Sequence, residues 1–83
     1  MIRNQERHLD MARKEVKSEI AGSVWKIVKQ PGDSVTDDDP LMILESMKME
    51  IPVLAEMKAT VVELLVKEGD AVAEGQALAI LEG

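Results

Sequence analysis

From residue 24 onward, short apolar runs alternate with polar breaks that hold Gly, Pro or Asp. Val24–Lys29 is rich in strand-favouring residues and meets Gly32-Asp33, a turn signal. Val35 follows, then the polar stretch Thr36–Pro40, then a second apolar run, Leu41–Leu44. The same sentence of residues is written again 37 positions later. VWKIVKQPGDSVTDDDPLMILE over 24–45 lies on VVELLVKEGDAVAEGQALAILE over 61–82 without a gap, with 8 identities in 22 positions. Val24/Val61, Gly32/Gly69, Asp33/Asp70, Val35/Val72, Leu41/Leu78, Ile43/Ile80, Leu44/Leu81 and Glu45/Glu82 are those identities. A fixed-period repeat means two copies of one supersecondary unit.

The repeat decides between strand and helix. Ala71–Leu81 is Ala-rich and helix-prone by itself. Its counterpart contains Asp37-Asp38-Asp39-Pro40, which breaks a helix. Both copies must fold alike, so both are strands. Short strands split by Gly, Pro and Asp predict an all-β fold, a sandwich or flattened barrel with a pseudo-twofold axis. The first copy continues past Glu45 through Ser46-Met47-Lys48-Met49 into a returning apolar run, Ile51–Leu54. By symmetry the strand beside 78–82 is the segment 12–16, drawn from the weakly alternating stretch that leads to Ala21. The chain ends then meet at one end of the domain and the Met-Lys-Met hairpin projects from the other. Residues 1–13 read as a tail or linker and 14–83 as the domain; a short helix through Ile2, Leu9 and Met11 is the alternative for the tail.

Composition narrows the chemistry. Eighty-three residues fit one domain, which at this size buries roughly 60–65% of its unfolded surface. One Trp with no Tyr or Phe leaves an aliphatic core. A net charge of −6 and the absence of aromatic platforms argue against nucleic-acid binding. Without cysteine there is no thiolate site, and a single His makes a His-based metal site or a catalytic triad a poor expectation. No apolar run is long enough for a membrane-spanning helix, and the first 16 residues lack a secretory apolar stretch. Cytoplasm is the expected compartment, with an organelle matrix as the alternative. Asp37–Asp39 reads as a solvated turn rather than a cation site. Asp33 and Asp70 are expected to fix their turns by accepting nearby backbone N–H groups. Trp25 reads as a half-exposed strand residue, and His8 as incidental.

One stretch is left over, LESMKMEI over 44–51. Two-residue hairpins favour Asn-Gly, Asp-Gly or Gly-X because their central residues need positive φ, so Met47-Lys48 is a poor choice. Local rules fail most often where function intervenes. A protruding lysine flanked by exposed methionines suits a covalent attachment point read by another enzyme. Nothing near Lys48 in sequence looks like a built-in base of suitable pKa, and Glu45 and Glu50 favour the charged amine, so the modifying enzyme brings the activation and this chain is the substrate.

Here the chain resembles the biotinyl/lipoyl attachment family, and within it the biotin carboxyl carrier domains. The resemblance rests on Gly22–Val35, on Glu45-Ser-Met-Lys-Met-Glu50 and on Val66-Lys-Glu-Gly-Asp-Ala-Val72, and covers roughly 16–82. It implies a flattened barrel of two four-stranded antiparallel sheets, without the extra thumb loop of some family members. It also implies covalent biotin on Lys48, with Glu45, Ser46, Met47, Met49 and Glu50 read by biotin protein ligase. The carrier then serves a biotin carboxylase, which uses ATP and bicarbonate, and a carboxyltransferase; it is not itself an enzyme. A lipoyl carrier holding lipoate, or an unmodified adaptor, are the alternatives. Ser46 departs from the usual Ala of the biotin motif. Ala59, facing Gly22 across the repeat, stands where the family often has Gly, and is strained if that backbone takes positive φ.

Overall fold

The computed structural model describes residues 13–83. The expected tail, with His8 in it, lies outside them except for Arg13, which opens the first strand. Eight strands follow: β1 Arg13–Lys17, β2 Gly22–Ile27, β3 Ser34–Val35, β4 Pro40–Ser46, β5 Met49–Leu54, β6 Ala59–Leu64, β7 Ala71–Val72 and β8 Ala77–Glu82. They form two four-stranded antiparallel sheets, ordered β1-β8-β6-β3 and β5-β4-β2-β7. The all-β expectation holds. The 37-residue shift carries β1–β4 onto β5–β8, and each sheet takes two strands from each copy. The halves are therefore interlocked rather than side by side.

The core repeats too. Val24, Leu44, Val72 and Leu78 belong to one buried cluster, and their partners Val61, Leu81, Val35 and Leu41 to the other. Each such side chain contributes about 1.5–3 kcal/mol by leaving water. Aliphatic residues do all of this work, with Met42 fully buried among them.

Four turns use one device. In Gln30–Asp33, Thr36–Asp39, Lys67–Asp70 and Ala73–Gln76, the fourth N–H donates to the first carbonyl at 3.0–3.1 Å. The fourth side chain then accepts the first N–H: Asp33 from Gln30, Asp39 from Thr36, Asp70 from Lys67 and Gln76 from Ala73, at 2.8–3.0 Å. Asp33 and Asp70 thus fix their turns as expected. Asp39 does the same, so the acidic run is a turn whose last carboxylate is structural. The third residue has positive φ in each, Gly32, Gly69 and Gly75 in three of them and Asp38 at 71° in the fourth. Asp38→Gly, which copies Gly75, is expected to stabilise the domain by about 0.5 kcal/mol and raise Tm by about 2–4 °C in a thermal melt.

Two strands start earlier than the apolar runs suggest. β2 and β6 begin at Gly22 and Ala59, because these residues pair with Val72 of β7 and Val35 of β3. β2 stops at Ile27 because the N–H groups of Val28 and Lys29 both turn to the Leu41 carbonyl, at 3.0 and 3.1 Å. β1 pairs with β8 as the symmetry required, from Arg13↔Glu82 to Lys17↔Ala77. The ends of the described chain therefore meet. No link between consecutive strands is longer than six residues, which leaves no room for a thumb among the described residues.

Candidate attachment site

β4 and β5 form a hairpin whose last ladder pair is Ser46↔Met49, so Met47 and Lys48 are its two turn residues. Both take positive φ, 53° for Met47 and 65° for Lys48. Positive φ at both central residues is the backbone of a type I′ turn, whose twist matches the flanking strands. Neither residue is Gly, Asn or Asp, so the turn holds strain of order 1–3 kcal/mol per residue, which the ladder below must offset. The fold thus imposes the conformation that the residue types disfavour.

The turn is also bare. Met47 is 89% exposed and Met49 58%, while Lys48 is exposed between them. The methionines are not folded back as core. Among the described residues the ion pairs are Arg13–Glu82 and Lys14–Glu56, and neither reaches Lys48. Glu45 and Glu50 lie directly opposite one another at the hairpin base, both exposed. The candidate recognition residues Glu45, Ser46, Met47, Met49 and Glu50 are therefore all gathered on one hairpin around Lys48. Trp25, on the neighbouring strand β2, is 49% exposed.

Two contacts that sequence patterns do not reveal anchor this hairpin. The Ser46 hydroxyl donates to the Ala21 carbonyl at 2.9 Å, tying the end of β4 to the start of β2. Next to it Gly22 packs so tightly that a Cβ there would stand 2.4 Å from the Glu45 carbonyl oxygen. Gly22 is not among the positive-φ residues, and neither is Ala59. The glycine is needed for close approach and not for φ, so Ala59 in the matching place carries no backbone strain of that kind. Ser46→Ala is expected to cost up to about 1 kcal/mol and to speed hydrogen exchange of the hairpin amides, with the core amides unchanged.

A two-sheet β-sandwich that presents an exposed lysine on a strained hairpin turn defines a class of small domain that offers a side chain to other proteins. The biotin–lipoyl family model, described as "Biotin-requiring enzyme", matches residues 12–82. This chain belongs to that family. It is 44% identical over 63 residues to the biotin/lipoyl attachment protein of Bacillus subtilis, covering 76% of this chain and 86% of that one. It is 42% identical over 67 residues to the biotinylated protein TB7.3 homolog of Mycobacterium leprae, covering 81% and 94% respectively. Among solved structures, the urea carboxylase of Kluyveromyces lactis superposes with a TM-score of 0.80 at 36% identity. That match covers 83% of this chain and 6% of the carboxylase.

Proposed function

We propose that this chain is a biotin carboxyl carrier, with biotin held as an amide on Nζ of Lys48. The observation that carries the reading is the Met47-Lys48 turn, where an unfavourable backbone and two exposed methionines surround a lysine without a structural partner among the described residues. The residues fit the group: a primary amine at an exposed tip can form an amide with biotin's activated carboxyl carbon, the leaving group departing with the electron pair of the broken bond and the ammonium losing two protons while keeping one as the amide N–H. The hairpin's own carboxylates, Glu45 and Glu50, are too weak as bases to deprotonate an ammonium, so biotin protein ligase supplies the activation. Relatives that are themselves named as biotinylated or biotin/lipoyl attachment proteins support the choice of group. When bound, biotin supplies a ring nitrogen able to carry a carboxyl group between a biotin carboxylase site and a carboxyltransferase site. The chain's own part is to hold that arm at one fixed point, clear of the sandwich, and to be recognised. It is a carrier and a ligase substrate rather than a catalyst.

The resemblance to a biotin/lipoyl attachment protein keeps lipoate as a second reading. Incubating the purified protein separately with a biotin ligase and a lipoate ligase, each with ATP and its acid, distinguishes them by intact and peptide mass. A biotin-sized increment on Lys48 is expected. A lipoyl increment alone sustains the second reading, and no increment with either enzyme overturns both in favour of an unmodified adaptor.

A further inference from the structure

A groove of about 440 Å³ opens between β1 and β5, one edge strand from each sheet. Its volume is that of a small-molecule site. It lies across the pseudo-twofold axis, because its lining holds both members of three repeat pairs: Val16 and Val53, Ile20 and Met57, Leu44 and Leu81. The repeat alone would make its two ends alike, and they differ. At one end the Lys14 ammonium, on β1, reaches the Glu56 carboxylate, just beyond β5, at 3.3 Å. At the other end the twin of Lys14 is Ile51 and the twin of Glu56 is Glu19. Both line the groove, and Glu19 has no ion-pair partner among the described residues. A charge pair closes one end. The other offers a lone carboxylate beside the apolar side chains of Ile20, Leu44 and Ile51.

The open end is the one nearest the hairpin. Ile51 pairs with Leu44, two ladder pairs below Ser46↔Met49. Ile20 precedes Ala21, whose carbonyl accepts the Ser46 hydroxyl. The wall on this side is pinned. The buried Ser18 hydroxyl donates to the Ile20 carbonyl at 2.6 Å. The Ser18 N–H donates to the Gln76 carbonyl at 2.8 Å, and the Ser18 carbonyl accepts from the Gly75 N–H at 2.7 Å. At strand rise, Ile51 lies about 10 Å along β5 from Lys48. A biotinyl arm runs about eleven bonds from the Lys48 Cα to the ring, roughly 13 Å at an extended reach of about 3.5 Å per three bonds. The tether point stands clear of the sandwich, yet the arm is long enough to return to it.

We infer that the open end of this groove is a resting site for the biotin ring carried by the chain's own Lys48, the thioether ring lying against Ile20, Leu44 and Ile51 and a ureido N–H donating to the Glu19 carboxylate. The inference rests on Lys48 being the biotinylated residue. The ring is uncharged, apolar over its thioether part and polar at its ureido edge, where it carries two N–H donors. The groove end is divided in the same way, with an ionised acceptor at its rim. A hydrogen bond to such an acceptor is stronger than one between neutral groups. Tethering supplies the rest. A ring on a short flexible arm stands at an effective concentration in the millimolar range, so a site too weak to gather free biotin still fills.

The test compares amide NMR spectra of the protein before and after complete biotinylation, checked by intact mass. Docking is expected to shift the amides of Val16, Glu19, Ile20, Ile51 and Val53 as well as those of the hairpin, by amounts independent of protein concentration. Ile51→Lys rebuilds at this end the clamp that Lys14 and Glu56 form at the other, and Glu19→Ala removes the acceptor. Biotinylated forms of both variants should lose most of the groove shifts and keep those of the hairpin. Glu19 is exposed, so Glu19→Ala decides the matter if Ile51→Lys folds poorly. Avidin should capture biotin from either variant at least about twofold faster than from wild type, because a docked ring is withheld from it. Shifts confined to the hairpin in the biotinylated wild type overturn the resting site and leave biotin on Lys48 standing. Groove shifts that persist at full size in Glu19→Ala overturn it as well. So do groove shifts that grow with the concentration of unmodified protein, which place a second copy in the groove. A wild type whose mass does not rise removes the Lys48 reading, and the resting site with it.

Discussion

Lys48→Arg is expected to emerge from a complete biotinylation reaction at its unmodified mass. Arginine keeps the length and the positive charge of the side chain, so solubility and the local field are preserved. Its guanidinium does not lose a proton in proteins, and so it cannot act as the acyl acceptor. The fold is indifferent to the change, because Lys48 is exposed and contributes only backbone to the turn. A melt within about 0.5 kcal/mol of wild type should accompany total loss of the increment. The remaining six lysines, Lys14, Lys17, Lys26, Lys29, Lys58 and Lys67, are the built-in control. None sits at a two-residue hairpin turn, and peptide mapping should find all of them unmodified in wild type and variant alike. An increment that persists on Lys58 or Lys67 would sink the assignment.

Gly22→Ala carries the second large effect, and it acts on the hairpin from below. The added Cβ would meet the Glu45 carbonyl oxygen at 2.4 Å, the Glu45 carbonyl carbon at 3.3 Å and the Ser46 Cβ at 3.3 Å. The nearest atoms are backbone, which cannot swing aside as a flexible side chain can, so the end of β4 must move. Overpacking of this kind costs about 1–3 kcal/mol. A domain of this length has about 4–12 kcal/mol of stability in total. At about 4–8 °C per kcal/mol for a domain this small, Tm should drop by roughly 5–20 °C. Displacing β4 also breaks the Ser46–Ala21 bond, so the hairpin amides should exchange faster than the rest of the ladder, and biotinylation should slow. Ala59 makes the contrast sharper. It occupies the same place in the other copy and carries its Cβ while buried to 8% exposure, so close approach of this degree belongs to the hairpin half. A Gly22→Ala protein with wild-type Tm would refute the steric account.

The repeat makes most of this fold legible in the residues themselves. β1 illustrates how. Its sequence, RKEVK, alternates poorly because it is an edge strand with four of five residues exposed, and on its own it does not read as a strand. Its place beside β8 followed only from carrying β5 back by one repeat. The hairpin was legible as an anomaly: Met47-Lys48 lacks the chemistry of a two-residue turn, yet the ladder from Pro40 to Leu54 forces positive φ upon it. What escaped was set by backbone atoms distant in the chain. Ser46 reads as a mild departure from a motif, and its bond to a carbonyl 25 residues away has no signature in residue type. Gly22 invited an explanation by φ, and only the packing reveals that the cause is contact with Glu45. The turn role shared by Asp39 and Gln76 was hidden by the change of side chain, although both offer an oxygen that reaches back three residues.

The interlocked halves have one more consequence. A duplicated chain has two of nearly everything: two clusters of core residues, two Gly-Asp turns, two pairs of edge strands. A lysine placed anywhere inside the repeating unit would invite a second one at the equivalent spot, and a ligase would face two similar targets. The joint between β4 and β5 is where one copy is sewn to the next, and among the described residues it occurs once. On the proposed attachment at Lys48, the arm sits in that seam and not in the repeated unit, so the described residues offer the ligase one such turn.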